Sequence, residues 1–229
     1  MYSIVAPAPS KCESKLDLCL IIDSSGSIRD NNPGDGSYDN WELQLNFLSA
    51  LIADFSVGLD ATRVGAIVFS EDVRLAFSLD RYNSADQVQQ AIQNIAYMGM
   101  TTNTPSALMQ TRNQCFNSAN GDRPDATNLA IIVTDGFPYP VDRRSPAIAE
   151  ATALRSAGAT MIAIGVTNAI DQDFLKEMSS SPQLEGQNYF TAADFTRLED
   201  ILRDVVESTC QTVAVTPGMF CLSSVYYVM

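Results

Sequence analysis

Asp23, Ser25 and Ser27 stand two residues apart in Asp23-Ser24-Ser25-Gly26-Ser27. If the chain turns there, one carboxylate and two hydroxyls, all hard oxygen donors, can face a single centre. A second carboxylate, Asp135, follows an apolar run in Thr134-Asp135-Gly136, and Gly99-Met100-Thr101-Thr102-Asn103-Thr104 supplies further hydroxyls. Oxygen donors with no imidazole or thiolate beside them suit Mg²⁺, Mn²⁺ or Ca²⁺ rather than zinc or copper. The chain has no histidine, and none of its cysteines forms a Cys-x-x-Cys pair, which argues against a zinc site. Asp-x-Ser-x-Ser taken alone is equally the signature of a polar turn that caps a helix. The three segments together point to a metal, because two neighbouring buried carboxylates need a cation between them.

These residues must be positioned by a sheet. Residues 16–22 and 128–133 are short apolar runs that end in acidic turns, as buried parallel strands do. Residues 63–69 read as a further buried strand, and the alternating residues 73–77 as its antiparallel hairpin partner. Residues 160–166 and the neighbourhood of Tyr189 and Phe190 read as the remaining strands. Helical spacing predicts helices over 41–57, with Leu45, Leu48, Ile52 and Phe55 on one face, over 84–96 with Ser84 as N-cap, and over 105–116. Further helices are expected near 148–157, ending at Gly158, over 171–178 and over 194–208. Strands alternating with helices give an α/β fold: a Rossmann-like, doubly wound, mainly parallel sheet with one antiparallel edge strand and helices on both faces. In such a sheet ligands bind beyond the carboxyl ends of the strands, where the strand order reverses.

The chain has 229 residues, 46% of them apolar and 18% charged, which suits one globular domain. Residues 15–210 are read as that domain, 1–14 as an N-terminal extension and 211–229 as a C-terminal tail. A net charge of −13 argues against nucleic acid or an anionic membrane as partner and favours a cation or a basic surface. No apolar stretch of 18 or more residues is present, so membrane insertion is not expected. The first residues lack a charged leader with a long apolar core, so a secretory signal is either absent or already removed. No Asn-x-Ser/Thr sequon occurs. Cys12 and Cys210 flank the regular pattern, where a disulfide would staple the termini. Cys19 and Cys115 are expected as small buried hydrophobes, leaving Cys221 for an intermolecular bridge.

With its three polar segments in this order after these strands, the chain resembles the von Willebrand factor A domain family over roughly residues 15–210, in its extracellular matrix or adhesion type. The resemblance implies a Rossmann-like sheet topped by a metal-ion-dependent adhesion site. It implies Asp23, Ser25 and Ser27 as first-loop ligands of Mg²⁺ (or Mn²⁺ or Ca²⁺), Thr102 as the second-loop ligand and Asp135 as the third-loop carboxylate. Thr101 is adjacent, so the register of the second loop stays open. The family's open metal position implies an acidic side chain of a protein ligand as partner, such as collagen or another matrix protein, and a secreted, extracellular or cell-surface location. In several relatives the last helix slides as affinity changes; a Cys12–Cys210 bridge would restrain it.

Residues 29–40 form a longer link than the family usually has. Asp30, Asn32 and Gly36 faintly match a calcium loop, but the twelfth position is Trp41 rather than Glu. Asp30 and Tyr38 here, with Phe137 and Tyr139 after the third loop, are candidate rim contacts for a ligand. The alternative function is an intracellular scaffold or chelatase-type subunit of the same superfamily. A Mg²⁺-dependent hydrolase would want a second Asp where Ser25 stands, and a nucleotide site would want a glycine-rich fingerprint with a lysine. The chain is therefore expected not to be an enzyme.

Overall fold

The computed structural model describes residues 11–136, 138–167 and 170–214. Its elements run β1 (Leu16–Asp23), α1 (Gly26–Asp30, a single turn), α2 (Asn40–Ala53), β2 (Arg63–Phe69), β3 (Val73–Phe77), α3 (Ala85–Gln93) and α4 (Thr104–Gln110). They continue with β4 (Thr127–Thr134), α5 (Arg144–Ser156), β5 (Thr160–Val166), α6 (Gln172–Met178), β6 (Tyr189–Ala192) and α7 (Leu198–Ala214). The strands form one sheet in the order β3-β2-β1-β4-β5-β6. Only the β2–β3 pair is antiparallel. The chain winds outward from β1 through β2 and β3, then returns to β4 on the other side of β1. The carboxyl ends of β1 and β4 are thus the point where strand order reverses.

Period-two alternation divides the core between the two faces of the sheet. Leu18, Leu20 and Ile22 of β1 pack with Val64, Val68, Ile131 and Val133 against α2, α3 and α7. Cys19 and Ile21 face the other way, with Ile67, Ala130 and Ile132, against α4, α5 and α6. Every residue of β1 is buried. Burial of a Leu or Ile side chain contributes about 1.5–3 kcal/mol, so β1 is the best-anchored support available to the loop that follows it.

The structure alters several boundaries. Helix α2 ends at Ala53. Phe55 and Val57 leave it for isolated bridges with Cys12 and Thr62. The expected helix over 105–116 is α4 followed by a π-helical turn over Thr111–Cys115. Helix α5 begins at Arg144, earlier than the apolar spacing indicates. Its first residue is held from outside by ion pairs with Asp171 and Glu177.

Cys12 pairs with Cys210 across 198 residues of sequence. Cys19 and Cys115 are not two separate thiols, because they form a second disulfide. Both are fully buried, and the bond joins β1 to the π-helical turn. A Cβ on Gly65 would lie 2.9 Å from the Cys115 sulfur, so the neighbouring strand needs glycine there. Cys221 and Phe137 lie outside the described residues.

Candidate metal centre

Asp23 closes β1 and is fully buried. Its Oδ1 accepts from the Ser25 amide at 2.9 Å, and its Oδ2 accepts from the Thr134 hydroxyl, at the end of β4, at 2.6 Å. The Ser25 and Ser27 hydroxyls lie 3.1 Å apart, and the Ser27 hydroxyl donates to Asp135 Oδ1 at 2.8 Å. One hydrogen-bond chain therefore connects these five residues across the gap between β1 and β4. Thr102, also buried, joins Ser27 in the wall of a cleft of about 470 Å³, with Gly26, Asp30, Gly99, Met100, Thr101, Gly136 and Tyr139.

The loops are held from beneath. Gln44 of α2 donates from Nε2 to the Asp23 carbonyl at 2.8 Å. The Tyr97 hydroxyl donates to the Ser25 carbonyl at 2.8 Å. Its ring lies 5.5 Å from that of Trp41 and carries the Arg29 guanidinium 4.4 Å from its centre. Ser70, just past β2, receives the Met100 amide at 2.8 Å and donates to the Thr101 carbonyl at 2.9 Å. The Thr101 hydroxyl donates to Glu71, which also takes both ends of the Arg143 guanidinium at 3.1 and 3.3 Å. Of the two adjacent threonines, Thr101 is thus the one drawn to Glu71 and Thr102 the one that is not.

None of Gln44, Ser70, Glu71 or Tyr97 stands out as a site residue in the sequence. Ser70-Glu71 did carry a signal, being polar at the carboxyl end of a buried strand, as Asp23 is. Gln44 carried another, as an amide at a position of the 3.6-residue period that faces the core.

Electrostatically the site is unfinished. Burial raises Asp23 above the usual carboxylate range. Burial, and then the charge of Asp23, push Asp135 up to about 7. The effects that lower either carboxyl are hydrogen bonds, with no basic side chain among them. Asp135 Oδ2 is buried with no hydrogen-bond partner. Among the described residues no three His, Cys, Asp or Glu cluster, and the hydroxyls of Ser27 and Thr134 bond the two carboxylates. An orphaned oxygen on a carboxylate that already meets a serine hydroxyl and feels the charge of a second buried carboxylate fits a hard divalent cation.

Of the rim candidates, Asp30 and Tyr139 line the cleft, while Tyr38 is exposed but does not line it. Residues 29–40 close on themselves. Asp39 pairs with Arg29 and caps α2, and Asn32 Oδ1 accepts from the Asn40 amide at 2.8 Å. Asn32, one of the calcium-loop positions, is thus already engaged.

The family model of the von Willebrand factor type A domain matches residues 17–204. The chain belongs to this family. Matrilin-1 of Homo sapiens is 32% identical over 197 residues, covering 86% of this chain and 36% of matrilin-1. Cochlin of Bos taurus is 33% identical over 200 residues, covering 87% of this chain and 33% of cochlin. The collagen alpha-1(XII) chain of Notophthalmus viridescens is 29% identical over 219 residues, covering 93% of this chain and 22% of that one. This von Willebrand factor type A chain therefore spans only 22–36% of the length of these relatives. Among solved structures, proximal thread matrix protein 1 from the mussel byssus matches with a TM-score of 0.78 and 26% identity, over 87% of this chain and 49% of that one. A further structure of that mussel protein, described as having a zinc-occupied MIDAS motif, matches with a TM-score of 0.74 and 26% identity, over 88% and 47%.

Proposed function

We propose that this domain is an extracellular binding module, not an enzyme, that docks an acidic side chain of a matrix protein through a divalent cation. Asp23, Ser25, Ser27, Thr102 and Asp135 would hold the cation. The observation that carries this reading is the buried, partnerless Asp135 Oδ2, on a carboxyl that also feels the charge of a second buried carboxylate, Asp23. When bound, a partly hydrated divalent ion supplies a strong site for an incoming anion. The chain's residues do the rest. Asp23 and Asp135 provide the compensating charge, the two serines and Thr102 complete the oxygen set, and the Gln44 and Tyr97 bonds fix the turn.

Thr102 is favoured over Thr101 because Glu71 occupies the Thr101 hydroxyl. Mg²⁺, Mn²⁺ and Ca²⁺ all suit the donors. The zinc named for the mussel relative adds a fourth candidate, disfavoured here because the chain has no histidine and the described residues hold no free thiolate.

Two intrachain disulfides, one of them in the core, support a secreted location and count against the intracellular scaffold reading. The matrix proteins among the relatives point the same way. No helix of the described residues is long and apolar enough to cross a membrane. The test is adhesion of the domain to immobilised collagens and other matrix proteins with Mg²⁺, with Ca²⁺ and with EDTA. Binding should vanish in EDTA and in Asp135→Ala. Full binding in excess EDTA would refute the reading.

A further inference from the structure

The cleft that Ser27 and Thr102 line, beside the two buried carboxylates, has further walls of a different chemistry. Met100 and Tyr139 line it while 63% and 64% exposed. Their backbones are fixed: the Met100 amide and carbonyl are bound to Ser70 Oγ and the Gly26 amide, each at 2.8 Å. The Tyr139 amide donates to the Thr102 carbonyl at 3.0 Å, and its own carbonyl receives Arg143 at 2.9 Å. Two apolar side chains thus stand in water on rigid backbone beside the carboxylates. That is the arrangement of a preorganised contact, in which little ordering is left to be done on binding.

Asp30, in the same wall, is exposed and takes part in no ion pair among the described residues, since neighbouring Arg29 is committed to Asp39. Two ionised carboxylates and a divalent ion sum to zero. A ligand carboxylate arriving there meets Asp30 as a like charge, on a chain already at −13. A ligand that brings its own cation removes that repulsion.

We propose that the cleft selects an acidic residue flanked in the partner protein by one apolar and one basic side chain. The apolar side chain lies on Met100 and Tyr139, and the basic one faces Asp30. This rests on the reading of the two carboxylates as a metal-dependent docking point.

The test is selection from a random peptide library displayed on phage, on the wild-type domain and on Asp30→Lys, in Mg²⁺ with elution by EDTA. Mg²⁺ binding of each protein is measured by calorimetry. The wild-type pool should pair Asp or Glu with a nearby Lys or Arg and an aromatic or aliphatic residue. The Asp30→Lys pool should keep the acid and the apolar residue and lose the basic one. For a synthetic peptide of the winning sequence, Tyr139→Ser should weaken binding roughly tenfold. Asp30→Asn should weaken it roughly threefold, as befits an exposed pair.

EDTA-eluted peptides that share an acid but show no bias in its neighbours, on both proteins, would overturn this selectivity and leave the docking reading intact. Mg²⁺ bound by calorimetry with no peptide released by EDTA would overturn the docking reading, and the selectivity with it.

Discussion

At the start of β1, Asp17 is fully buried against Arg123, whose Nε and Nη2 donate to Asp17 Oδ1 at 2.9 and 2.7 Å. The remaining guanidinium bonds go to the carbonyls of Leu16, Leu59 and Ala61, and the Arg123 amide donates to Asp17 Oδ2 at 2.6 Å. At the other end of the same strand Asp23 is just as buried, yet it makes no ion pair among the described residues and its charge acts on another carboxylate, Asp135. One strand therefore buries two acids, one beside its own cation and one without. A buried charge with a built-in, fully hydrogen-bonded partner fixes the fold. A buried charge that lacks one leaves a place for something from outside.

The largest effect that could break this contrast lies at the paired end. Arg123→Ala leaves Asp17 buried and uncompensated and should destabilise the domain by about 3–5 kcal/mol, to the same extent with or without Mg²⁺. Thermal unfolding in both conditions checks this; a metal-dependent loss would erase the distinction between the ends. Next comes the core disulfide that ties β1 to the end of the α4 segment. Cys19→Ala with Cys115→Ala should cost about 2–4 kcal/mol in denaturant unfolding, and a change below about 1 kcal/mol would contradict the clamp.

Asp135→Asn is expected to act in the opposite direction in the absence of metal. Its folded pKa is raised, to about 7, so the penalty is absent below the usual carboxylate range and fully developed above about pH 7. The metal-free variant should therefore be more stable than wild type at pH 8, on the order of 1–2 kcal/mol, with the gain fading towards pH 4. Equal melting temperatures in EDTA at pH 8 would argue against an uncompensated carboxylate. The smallest effect separates the two threonines. Thr102→Val should weaken Mg²⁺ binding about tenfold, whereas Thr101→Val, which loses only the contact to Glu71, should change it less than about threefold. The reverse order would move the register by one.

How much of this was legible follows the same division. Apolar runs identified β1, β2 and β5 to within a residue, because strands buried on both faces have nothing else to display. The start of α5 was not legible, since Arg144 is held by Asp171 and Glu177 of a distant segment rather than by local periodicity. The Cys19–Cys115 bond was equally hidden, because spacing does not say which strand a helix end will meet. Asp17 was a missed signal. A carboxylate inside the run Leu16-Asp17-Leu18-Cys19 demands a counter-charge, but Arg123 lies 106 residues away. The metal-ligand candidates could be read from residue types at fixed spacing. Their supports act through tertiary contacts: Ser70-Glu71 at a strand end and Gln44 on a core-facing position mark themselves faintly in the sequence, whereas Tyr97 carries no such mark.

The unmatched carboxylates at the end of β1 and β4 are tested most directly by calorimetric titration of the metal-free domain with Mg²⁺ and Mn²⁺ at pH 8. One ion should bind per wild-type chain and none in Asp135→Asn. Absence of binding to the wild type, or unchanged binding in the variant, would contradict a cation site between Asp23 and Asp135.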